Sequence, residues 1–204
     1  MARSREFSPD AALDKAMRVF WEKGYGGTSI EDLVSATGVS RYGLYGEFGG
    51  KSGLFLAALE HYRATIIRPL LDIIEPPDAG LDAVKTLFDT LRCFMSQPGN
   101  QLGCLIFNSM HELGQCDEAV AATVIAARER LRAGLRRMLD NAVRRGELPP
   151  GYDVDREADF LFGVMHALPM MARAGVEPTA IGNMVGVALS TLDSPAGRES
   201  ERTF

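Results

Sequence analysis

TSIEDLVSATGVSRYGLYGEFGGK, residues 28–51, reads as two short helices joined by a tight glycine turn. Thr28 and Glu31 stand at the spacing of a capping box, in which each side chain satisfies a backbone amide of the other, so a helix starts there. Ile30, Leu33 and Val34 form its apolar face. Thr37-Gly38 ends it, because glycine adopts the left-handed conformation that a sharp turn needs. Ser40 fits the cap of the next helix, where Leu44 and Phe48 face inward, Tyr42 and Gly46 face outward, and Arg41, Gly43 and Tyr45 flank them. Glycine at 43 and 46 costs about 1 kcal/mol of helix stability each, yet lets the backbone approach a partner closely.

Upstream, Leu13, Ala16, Met17, Phe20 and Trp21 recur at helical spacing behind Ser8 and Pro9, which suit an N-cap and a first helical position. That helix ends near Gly24. Downstream, Leu54, Phe55, Ala58, Leu59, Tyr62 and Ile66 describe a long amphipathic helix from Lys51 that bends or ends around Pro69. Beyond the EPPDAG break the pattern gives helices over about residues 81–96, 102–114 and 117–145, the last with Val120, Val124, Leu131, Leu135, Met138 and Ala142 in near-heptad spacing. Two more follow the ELPPGYD break, over about 154–173 and 177–193, with Pro169 expected to kink the first. No segment reads as a strand. The expected class is therefore all-α, with an N-terminal three-helix, helix-turn-helix domain over 1–51, a C-terminal helical domain over 52–193 and a polar, disordered tail over 194–204.

A short helix held by a glycine turn against a bracing helix is the arrangement that places one helix in the major groove of DNA. The stretch FWEKGYGGTSIEDLVSATGVSRYGLYGEFGGKSGLF also resembles the N-terminal domain of the tetracycline-repressor (TetR) family of transcription regulators. The features that carry the resemblance are Phe20-Trp21 ahead of Gly24 and Tyr25, then Thr28, Ile30 and Leu33, the turn Gly38-Val39-Ser40, Leu44-Tyr45, Phe48, and Lys51 ahead of Leu54-Phe55. GCLIFNSMHELG followed by a long Arg-rich helix looks like one variety of the family's C-terminal domain. The resemblance implies a homodimer, its third helices in successive major grooves of a near-palindromic operator on double-stranded DNA, released by a small-molecule effector. By matching positions it makes Arg41 and Tyr42 the base-edge readers and gives the phosphates to Tyr45 and Lys51, with backbone amides around Thr28 and Lys51. Gly43 stands where a serine or threonine is common, and Glu47 is an acid where neutral or basic residues are usual.

Charge neither supplies nor excludes this reading. The net charge is −5, but residues 1–51 carry equal numbers of bases and acids, so attraction to phosphate must come from local placement. No apolar run approaches the roughly 20 residues of a membrane span and no signal peptide is visible, which makes the cytoplasm the default. Cys93, Cys104 and Cys116 form no CxxC pair, and Cys104 with His111, two turns apart, is not a recognised metal pattern, so no metal or cofactor is expected. Cys104 sits in a GCL context like that of a sensor cysteine in a relative within the family, which raises a redox role for it.

For the effector, Phe94, Cys104, Phe107, His111, Met165 and His166 offer an apolar, deformable lining with a few polar groups; they suit a plain helical core equally. The stripe Ile181, Met184, Val185, Ala188, Leu189 and Leu192, with Gly182 and Gly186, suits a homodimer through the last two helices, or packing within one chain. Two other function classes stand against the regulator. A helical enzyme using His111 or His166 as a base lacks any GxSxG, HExxH or P-loop, and a structural adaptor would not select a DNA sequence.

Overall fold

Pro9 opens the first helix because its missing amide is one that no helical carbonyl could have used, and Gly24, at φ 74°, closes it. This helix is α1, Pro9–Lys23. It is followed by α2 (Ile30–Thr37), α3 (Arg41–Phe48) and α4 (Lys51–Tyr62), a π-helical turn over Arg63–Ile67, then α5 (Arg68–Ile74), α6 (Leu81–Ser96), α7 (Leu105–Leu113), α8 (Glu118–Arg144), α9 (Val154–Arg173) and α10 (Pro178–Asp193). The structure, a computed structural model, describes residues 8–97, 99–113 and 118–193. The side chains at 110, 111, 113, 118–121, 123, 124 and 127 are outside the described set, and so are the readings of His111, Val120, Val124, Cys116 and the tail 194–204. Among the described residues every regular element is helical, as an all-α class requires.

Two details differ from the sequence reading. The capping box lies one residue later than the Thr28 and Glu31 spacing suggests: Ser29 Oγ accepts from the Asp32 amide at 3.0 Å, and Asp32 Oδ2 accepts from the Ser29 amide at 2.9 Å. The reason is that Thr28 is needed inside, 2% exposed, with its hydroxyl donating to the Gly24 carbonyl at 2.6 Å. Asp32 is also the better partner, since Lys23 Nζ donates to its other oxygen at 2.6 Å and, with Ser29, holds the carboxyl below its usual range. The second difference is at Pro69. The helix continues through it as α5, and just before it lies a π-helical turn, where the chain widens ahead of a residue whose ring would collide with the carbonyl one turn back.

The chain forms two compact units. Among the described residues, one contains those up to Arg68 together with those over 104–126, and the other contains those over 69–103 and 127–193. In the first, α1 packs against α2 and α4, and α3 closes on α4. Its centre is aromatic: the Phe20 and Phe55 rings meet edge to face at 5.0 Å, as do Trp21 and Tyr62. Each such buried side chain contributes roughly 1.5–3 kcal/mol. Leu33 and Leu44 are the plugs of α2 and α3, and the turn between them passes through Gly38 at φ 73°, the left-handed position foreseen from the sequence.

In the second unit α6, α9 and α10 pack together through Phe88, Leu161, Leu168, Ile181 and Val185, and α8 contributes Leu135, Met138 and Leu139. α9 runs through Pro169 to Arg173. The EPPDAG segment is fixed by a buried amide that the sequence did not flag. Asn141 Nδ2 donates to the carbonyls of Pro77 at 3.0 Å and Ala79 at 2.6 Å, so the loop's unpaired acceptors are satisfied from α8.

Candidate DNA-binding surface

α3 is a short helix held at both ends: Ser40 Oγ accepts from the Gly43 amide at 3.1 Å, and Gly49 ends the helix at φ 74°. Leu44 faces the core at 1% exposure, so the other faces of a two-turn helix are left to solvent. Tyr42 is 87% exposed and Tyr45 48%. A large aromatic side chain presented as Tyr42 is suits contact with an outside partner. Gly43 is half-buried, its amide used by Ser40.

Arg41 projects from the first turn of α3 and its guanidinium is paired with Glu31 in the first turn of α2. Both side chains are largely exposed, so the pair is screened and worth little to the fold. What it does is hold the guanidinium over the surface shared by the two helices. The sequence reading named neither Glu31 as Arg41's partner nor Tyr25 as a support. The opposite charges at the first turns of successive short helices were the available signal for Glu31.

Lys51 stands at the start of α4, its ammonium 4.3 Å above the Tyr25 ring. Tyr25 in turn contacts Phe55 at 5.0 Å and stacks on Phe20 at 6.3 Å. The ammonium is therefore carried on a ring that the core fixes, beside the amides of a helix N-terminus, where an anion is favoured. Tyr45 lies alongside, its ring 3.4 Å from where a Cβ on Gly50 would be. Thr28 turns its side chain into the loop between α1 and α2 and braces it, so any phosphate contact there falls to the backbone amides that the resemblance names.

Residues 12–58 match the family described as "Bacterial regulatory proteins, tetR family", and residues 80–185 match "Tetracyclin repressor-like, C-terminal domain". The chain belongs to the TetR family. It is similar to the HTH-type transcriptional repressor ComR of Escherichia coli (strain K12), with 32% identity over 92% of this chain and 90% of that one. It is also similar to the repressor BdcR of the same organism, with 28% identity over 93% of each chain. Among solved structures, a cysteine-substituted form of the TetR family regulator CifR, complexed with 26-bp double-strand operator DNA, superposes with a TM-score of 0.81 at 28% identity, over 93% of this chain and 98% of that one. The TetR-family chain is thus a helix-turn-helix, DNA-binding transcription regulator and not an enzyme.

The residues assigned to an effector fall in both units. Cys104 and Phe107 are in the first, while Phe94, Met165 and His166 are in the second, and the His111 side chain is outside the described residues. Cys104 precedes α7, and its thiol is pushed up by burial, with the Ile106 and Phe107 amides and the Tyr62 hydroxyl turned toward the sulfur. A thiol held protonated in this way is a weaker nucleophile than a free one. Among the described residues no cluster of His, Cys, Asp and Glu could hold a metal, and no described helix is long and apolar enough to cross a membrane.

His166 is half-buried, its ring 4.3 Å from that of Phe162 and its Nδ1 3.2 Å from the Phe162 carbonyl. Burial lowers its pKa from the ordinary 6.5, and the nearby Arg128 guanidinium acts in the same direction. The unfolded chain therefore takes up this proton at a higher pH than the folded one. Its contribution to stability is complete above pH 6.5 and is lost as the pH falls through the folded value. Thermal melting as a function of pH checks this: His166→Gln is expected to flatten the fall in melting temperature below pH 6.5, and an unchanged slope would contradict it.

Proposed function

We propose that this TetR-family chain is a repressor that binds a near-palindromic operator as a homodimer and leaves it when a small hydrophobic or aromatic effector binds. Arg41 and Tyr42 read base edges in the major groove, Arg41 as a fork suited to guanine, while Tyr45 and Lys51 hold phosphates. The observation that carries the reading is the α3 surface itself: a capped two-turn helix, one leucine inward, and Arg41 and Tyr42 on its open side next to a Lys51 held above an aromatic ring.

The dimer is proposed through α9 and α10. Phe160, Gly163, Ala167 and Met170 fall on one stripe of α9, with Phe160 43% and Met170 58% exposed, and a Cβ at Gly163 would meet nothing within 4 Å. On α10 Val187 is 66% exposed and Gly186 is equally open. A face of large apolar and small residues left uncovered in one protomer suits a self-complementary interface. The effector is proposed to lie in the second unit, where α6 packs on α9 and the half-buried His166 offers one polar group beside Phe162.

Selection from a pool of random-sequence duplexes tests the proposal. It is expected to enrich a palindrome whose half-sites lie about one helical turn or more apart. Enrichment of no sequence, or of an asymmetric one, would overturn it.

A further inference from the structure

Glu112, on α7, places its carboxylate in the loop between α1 and α2. One oxygen accepts from the Tyr25 amide at 2.8 Å and the other accepts from the Gly26 amide. These two donors lie beyond the last turn of α1 and ahead of α2, and without the carboxylate they would turn to water. The loop is shaped for it. A Cβ at Gly24 would lie 2.6 Å from one carboxylate oxygen of Glu112, and a Cβ at Gly26 would lie 2.7 Å from the other. The glycines of GYGG therefore make room for an acid more than 80 residues away in sequence, as well as breaking a helix.

Tyr25 joins this grip to the DNA-facing surface. Its amide is held by Glu112, and its ring lies under the Lys51 ammonium at 4.3 Å. We infer that Glu112 is a positioning residue for DNA binding, fixing Tyr25 and through it the Lys51 ammonium. The inference rests on the proposed role of Lys51 as a phosphate anchor. The two hydrogen bonds tolerate little movement: a shift of α7 by about 1 Å takes a 2.8 Å bond out of range. A displacement of α7 would in this way loosen Lys51.

The test is the salt dependence of binding of the full chain to the duplex enriched by selection. Lys51→Ala is expected to reduce the slope of log affinity against log salt by about two, one phosphate contact in each half of a dimer. Glu112→Ala is expected to reproduce most of that change with a loss of affinity of about tenfold, and the double variant to bind no more weakly than Lys51→Ala alone. Gly26→Ala, whose methyl displaces the flexible end of Glu112, should behave as Glu112→Ala does, and Glu112→Gln, which keeps the volume and one acceptor oxygen, should fall between it and the wild type. If Lys51→Ala alters the slope while Glu112→Ala, Glu112→Gln and Gly26→Ala leave it unchanged, the inference fails and the anchor reading survives. If Lys51→Ala leaves the slope unchanged, both fail. A purely structural Glu112 would lower the melting temperature and add its loss to that of Lys51→Ala, which also overturns the inference.

Discussion

Arg41→Ala is expected to weaken binding to the selected palindrome by roughly a thousandfold while the protein remains a folded dimer. A bidentate contact to guanine is worth about 1–3 kcal/mol, and a symmetric operator engages the side chain twice, so a loss near 4 kcal/mol follows. The fold should not respond. The Arg41 side chain is 62% exposed and Glu31, with which it pairs, is 71% exposed, so removing it leaves no buried charge behind. The affinity for unrelated duplexes should fall much less, because that affinity rests on phosphate contacts. Titration of wild type and variant against both duplexes checks the prediction, and an equal loss on both would show that Arg41 positions the protein without reading sequence.

Phe160→Asp is expected to give a folded monomer that no longer holds the palindrome. Two-fold symmetry brings the substituted position into the interface from both protomers, so a cost of about 2 kcal/mol at each copy raises the dimer dissociation constant by roughly a thousandfold. Phe160 is 43% exposed and is not part of the core formed by Leu161, Val164 and Leu168, so the protomer itself should keep its helicity. Losing the dimer makes each half-site bind alone, and the avidity of roughly 10²–10⁴ supplied by linkage disappears with it. Sedimentation together with circular dichroism measures both quantities. A variant that remains dimeric would move the interface away from α9.

What could be read directly from the residues was whatever local spacing determines. The 3.6-residue period of Ala16, Phe20, Leu33, Leu44, Leu54 and Ala58, with Pro9, Gly24 and Gly38 as punctuation, sets α1, α2 and the starts of α3 and α4 to within a residue or two. Even there the cap of α2 slipped by one, because the choice between Thr28 and Ser29 depends on which hydroxyl the Gly24 carbonyl takes. Pairings between distant residues left no comparable trace. The Glu112 grip on Tyr25 and Gly26, the Asn141 clamp on Pro77 and Ala79 and the Arg41 pairing with Glu31 each join residues whose separation carries no period. GYGG illustrates the difference: its glycines announced a break, but that Gly24 and Gly26 also leave space for a carboxylate becomes visible only when α7 is in place.

The same distinction applies to the surface of α3. Arg41, Tyr42, Tyr45 and Lys51 could be nominated from their positions, since a helix with Leu44 inward must turn the others out or aside. How they are held could not. The ring under Lys51 comes from the loop between α1 and α2, and the acid beside Arg41 comes from α2. Neutrality over residues 1–51 is compatible with DNA binding on this view, because Arg41 and Lys51 are set in place on the surface while Lys23 is paired with Asp32.

Protection of guanine N7 from dimethyl sulfate in the selected duplex tests the central claim most directly, since that atom lies in the major groove and is the one a bidentate arginine covers. The expected pattern is one protected guanine in each half-site, related by the two-fold axis, that becomes reactive again when Arg41→Ala replaces the wild type at concentrations high enough to keep the duplex bound. Protection without two-fold symmetry, or protection unchanged in Arg41→Ala, would contradict a dimer that reads its operator through Arg41 on α3.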